Sequence, residues 1–62
     1  MDTEPLYWLP AEMADVMRTT EAALANLRYR RCGPPYRKVG KRILYPRLEA
    51  LAWIDASAST FD

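Results

Sequence analysis

Gly33-Pro34-Pro35 divides this chain and limits what it can become. No α-helix crosses two adjacent prolines, because each removes a backbone N–H and clashes with the preceding turn. Helical patterns on either side must therefore end, turn and begin again. Within 62 residues that leaves room for one small domain of short elements, with a small core. Half of the residues are hydrophobic, two Trp and four Tyr among them, which is too apolar for a disordered tail.

On the N-terminal side, residues 1–7 read as irregular or extended, with Trp8 the first core contact. Pro10 suits the first position of a helix, although Leu9 is a poor N-cap. Met13, Ala14, Val16 and Met17 then form one apolar stripe. Arg18-Thr19-Thr20 breaks it. Thr20 can cap a second helix, with Glu21 at the positive end of its dipole. Ala23, Leu24 and Leu27 form its buried face, while Ala22, Ala25, Asn26 and Tyr29 point away. Gly33 is placed as the C′ residue that ends this helix.

Beyond the prolines, Tyr36 to Tyr45 is β-rich around Gly40 and reads as a hairpin. A two-residue Gly40-Lys41 loop would pair Val39 with Arg42 and leave Val39 and Ile43 on opposite faces. A three-residue loop through Arg42 would set Val39 opposite Ile43, and burial of that face favours it. Pro46 then opens a third helix to about Ala56, with Ala50, Trp53 and Ile54 on its core face. Residues 57–62 read as a frayed tail.

Charge is segregated along the chain. Residues 1–17 hold four acids and no base; residues 18–47 hold all nine Lys/Arg and only Glu21; residues 48–62 hold three acids. A net charge of +1 thus conceals a strongly positive centre, which points to a polyanionic partner. With no His and one Cys, the chain has neither Cys/His zinc sites nor histidine acid/base chemistry, and no disulfide within itself. The carboxylates fall on different elements, so neither an enzyme nor a cofactor is expected. The absence of a signal-peptide pattern or a long apolar run leads us to expect a cytoplasmic protein without membrane attachment.

Two short helices with a three-residue break, a basic hairpin and a closing helix make the layout of a winged helix-turn-helix. It is mainly α: three helices plus a two-stranded wing, spanning residues 8–56. The segment from Trp8 to Ile54 also resembles the excisionase family of small DNA-binding proteins, related to MerR-type and AlpA-like domains. "LANLRYR", "GPPYRKVGKRILY" and the closing Ala52-Trp53-Ile54 carry the resemblance. Three features depart from the family pattern. Arg18 stands where Gly is frequent, Leu27 where Trp is common, and the third helix lacks a Ser/Asp cap.

The resemblance implies a phage or mobile-element recombination directionality factor. Such a protein binds and bends double-stranded attachment-site DNA and steers an integrase toward excision, with cooperative self-association on tandem sites. A small prophage transcriptional regulator is the alternative, and a protein-interaction module without DNA binding a more distant one. In the DNA-binding reading, Thr20 opens the DNA-binding recognition helix, and Glu21, Ala22, Ala25, Asn26 and Tyr29 face the groove. Asn26 is the best base reader, because its amide can pair bidentately with adenine. Arg28 and Arg30 hold phosphates from the flanks of the helix. Arg37, Lys38, Lys41 and Arg42 do so from the wing. The same charges would also suit an ordinary solvated helix, or an edge hairpin kept soluble by its lysines. Leu48 and Leu51 either pack under Leu6 or Tyr7 or form a protein contact.

Overall fold

A computed structural model describes residues 5–58. The order is β1 (Tyr7–Trp8), α1 (Pro10–Met17), α2 (Glu21–Tyr29), β2 (Arg37–Val39), β3 (Arg42–Pro46) and α3 (Arg47–Ala58). Three helices thus pack with a small antiparallel sheet of order β1-β3-β2. The expected two-stranded wing is therefore part of a three-stranded sheet. Of the segment expected to be irregular, residues 1–4 lie outside the described residues and Tyr7 belongs to β1. The closing helix runs two residues past its expected end, into the segment read as a tail, the rest of which lies outside the described residues.

The core takes side chains from both faces of the Gly-Pro-Pro corner. Met13 and Ala14 of α1, Leu24 of α2, Tyr45 of β3 and Ala50 of α3 are buried, with Trp8, Met17, Leu27, Ile43 and Ile54 packed around them. Two expectations for this core fail. Val16 is exposed, because the rest of the α1 stripe already fills the contact with α2. Trp53 is half-buried and lies outside the central cluster.

Helix ends explain much of the path. Pro10 opens α1; Leu9 offers no side-chain cap, but the Glu12 carboxylate accepts the Leu9 N–H at 2.8 Å. At α2, Thr20 Oγ1 accepts the Ala23 N–H at 3.1 Å. Both helices close with the same device. Arg18 N–H donates to Asp15 O and Thr19 N–H to Ala14 O; Arg31 N–H donates to Arg28 O and Cys32 N–H to Leu27 O. These are two Schellman closures, each with an arginine in the left-handed region, at φ 57° for Arg18 and 58° for Arg31. A β-carbon there costs about 1 kcal/mol relative to glycine.

The C′ residue of α2 is therefore Arg31, not Gly33. Glycine is needed two positions later for a different reason. A Cβ on Gly33 would lie 2.8 Å from Leu27 Cβ, so only glycine lets the chain double back against α2.

The hairpin also departs from expectation. Val39 pairs with Arg42, Lys38 with Ile43 and Arg37 with Leu44 around a two-residue Gly40-Lys41 loop. Gly40 has φ 63° and Lys41 is not left-handed, the pattern of a type II′ turn, whose twist matches that of the strands. Directly paired residues share a face, so Arg37, Val39, Arg42 and Leu44 lie on one side and Lys38, Ile43 and Tyr45 on the other. Turn geometry prevails over burial here, and Val39 stays 59% exposed.

Candidate nucleic-acid interface

The exposed face of α2 holds the residues the sequence assigned to it. Glu21, Ala22, Ala25, Asn26, Tyr29 and Arg30 are all exposed, Tyr29 at 89%. Thr20 begins this face, but its hydroxyl oxygen is engaged in capping. Short alanines beside Asn26 leave its amide unobstructed on the helix surface.

The nine cations divide into two sets. Arg28, Arg37 and Arg47 are tied into the protein. Arg28 is half-buried; its Nη1 donates to Tyr45 Oη at 2.6 Å. Its guanidinium lies 5.9 Å from the Tyr36 ring centre and 6.0 Å from that of Tyr45, within cation–π range. Arg37 Nη2 donates to both oxygens of Glu49 at 3.1 Å, and Nη1 to Tyr36 O at 3.3 Å. Arg47 Nε donates to Pro5 O at 2.7 Å, while its backbone N–H donates to Leu6 O.

Two of the residues expected to contact phosphate are thus engaged within the protein. Arg28 is turned inward against Tyr45 and Tyr36 instead of standing free on the flank of α2. Arg37 is held by an acid on α3, and it points to the opposite face of the hairpin from Lys38. Among the described residues, the side chains of Arg18, Arg30, Arg31, Lys38, Lys41 and Arg42 are exposed and make no hydrogen bond or ion pair. Arg18 and Arg31 lay outside the residues assigned from sequence. The signal that could have found them is positional: each sits where a helix closes and glycine would be cheaper.

At the corner between α2 and the hairpin lies an open cleft of about 440 Å³. Arg28, Arg31 and Arg37 line it together with Pro34, Pro35 and Tyr36. The corner therefore brings the end of α2 beside the base of the hairpin. Tyr36 meets Tyr45 at a tilt, with ring centres 6.3 Å apart and planes at 56°. The wall of this cleft is thereby fixed to the core.

A second, smaller groove of about 200 Å³ lies between β1 and the start of α3. Leu6, Tyr7 and Leu48 line it, yet Leu48 remains 68% exposed and does not pack under the N-terminal segment. Leu51 is also exposed and lies outside the groove. Among the described residues, no helix is long and apolar enough to cross a membrane. No family model, curated protein or solved structure matches the chain.

Proposed function

We propose that this chain is a sequence-specific double-stranded DNA-binding protein of winged helix-turn-helix layout, with α2 as recognition helix and the β2–β3 hairpin as wing. The observation that carries this reading is the set of six exposed cations with unengaged side chains, placed on the helix closures and the hairpin. Proteins ordinarily settle surface arginines against nearby acids when acids are available. Here the acids cluster toward the two ends of the sequence, and among the described residues Glu49 forms an ion pair with Arg37. Fixed positive charge without internal partners suits a phosphate backbone. Asn26, on the exposed face of α2, supplies sequence reading.

The resemblance to excisionases narrows the role to a recombination directionality factor that bends attachment-site DNA and directs an integrase. It contributes no catalysis, because the strand chemistry belongs to the integrase. Exposed Leu48 and Leu51 are the surface offered to that integrase or to a neighbouring copy.

Footprinting on the attachment and promoter DNA of the host element tests the role. Short direct repeats beside a recombination site support it; an inverted repeat over a promoter assigns the chain to transcriptional regulation instead. Groove reading is tested by Asn26→Ala, which should cost about 1–3 kcal/mol at one base position and relax preference there. Arg42→Ala should weaken all sequences alike. Equal loss on every sequence for Asn26→Ala would remove α2 from the groove.

A further inference from the structure

We propose that the corner cleft between α2 and the hairpin is a seat for one phosphate of the DNA backbone, with Arg31 as its gripping residue. This deepens the DNA-binding reading and rests on it.

Three arginines line one cleft, and the protein compensates them unequally. Arg28 has only a neutral partner, the Tyr45 hydroxyl. Arg37 is neutralised by Glu49. Arg31 has no side-chain partner among the described residues. The other lining residues, Gly33, Pro34, Pro35 and Tyr36, bring no charge. About two positive charges are therefore left on residues that line a common space with no acid in its lining. A phosphodiester provides the missing anion, and its paired oxygens match the fork of a guanidinium.

The rigidity is distributed as a seat requires. Arg28 is fixed by a 2.6 Å hydrogen bond and two aromatic rings. The two prolines stiffen the wall, and Arg37 is held in place by Glu49 while keeping spare N–H donors. Only the Arg31 side chain is unconstrained, so it can close on an arriving phosphate. Its backbone supplies an independent argument. At φ 58°, in a helix closure where glycine would relieve strain, the chain carries the largest cation instead. A guanidinium is thus present at this place at the expense of stability.

That strain makes the test clean, since Arg31→Gly removes the side chain while stabilising the fold. Binding to a short random-sequence duplex would be measured by fluorescence anisotropy for wild type, Arg31→Gly and Arg31→Lys. We expect Arg31→Gly to melt about 5 °C higher. It should nevertheless bind about tenfold more weakly, with a salt slope lower by about 0.9. Arg31→Lys keeps the charge and the strain but loses the fork, and it should also bind several-fold more weakly.

Wild-type affinity in both Arg31 variants would overturn the seat and leave the DNA reading intact. Affinity lost in Arg31→Gly but fully restored in Arg31→Lys would reduce Arg31 to a contributor of diffuse field, and likewise overturn the seat. No duplex binding by wild type would overturn the DNA reading and the seat with it. A melting shift with inorganic phosphate, beyond that of chloride at matched ionic strength, would assign the cleft to a free anion instead. For a backbone site we expect none.

Discussion

Raising the salt concentration from about 50 to about 200 mM should weaken binding to a random-sequence duplex by about 10³-fold. The size follows from which cations remain uncommitted. Each phosphate neutralised contributes about −0.9 to the slope of log affinity against log salt. The six unengaged side chains, Arg18, Arg30, Arg31, Lys38, Lys41 and Arg42, together give about −5. All nine cations would give about −8, which requires Arg37 to leave Glu49 and Arg28 and Arg47 to abandon their internal acceptors. An anisotropy titration across salt therefore measures how the nine divide. A slope near −5 supports the division found in the structure. A slope shallower than about −2 would mean that the basic centre is not the contact surface.

Replacement of Tyr45 by Ala should unfold the domain. Tyr45 is fully buried, and truncating a buried aromatic costs about 3–5 kcal/mol. A chain of this size has about 3–9 kcal/mol to lose. The substitution also strips the Arg28 guanidinium of its acceptor and one of its two rings. Tyr45→Phe separates these effects, because it keeps the ring and removes only the hydroxyl. It should cost about 1–3 kcal/mol, with Arg28 left half-buried and short of a partner. Urea denaturation followed by tryptophan fluorescence reads both. A Tyr45→Ala protein as stable as wild type would show that the sheet is not the centre of the core. Equal losses for Ala and Phe would place the whole effect in the Arg28 hydrogen bond.

Local rules made much of this fold legible in the sequence. Pro10, Thr20, Leu24 and the Gly40 turn each act within about one helical turn or one hairpin, and each performs as its chemistry dictates. The misplaced closure of α2 shows where such rules weaken. Glycine is the usual C′ residue, so the nearest glycine attracted the assignment. What Gly33 serves is contact with Leu27, a steric need that composition does not display. The hairpin register turned on whether anything covered Val39, and nothing does.

In the candidate site, the exposed face of α2 was readable from periodicity. The fates of Arg28 and Arg37 were not, because their partners lie 17 and 12 positions away. A two-residue strand such as β1 carries no period at all; only its partner, far along the chain, defines it.

That pairing binds the chain's beginning to its later half. Tyr7 lies against Pro46 and Trp8 against Tyr45, while Arg47 reaches back to Pro5 across 42 positions. Closing so long a loop is the most entropically demanding contact of the fold, and the helices and hairpin need none of it to begin forming. The first strand in the sequence is thus expected to dock last, since it cannot pair before β3 has been synthesised. During synthesis the early segment must wait with Trp8 uncovered. In the finished molecule the same clasp should be the first to open, so that exchange of the Arg47 amide, which donates to Leu6 O, outpaces that of the Leu24 amide within α2.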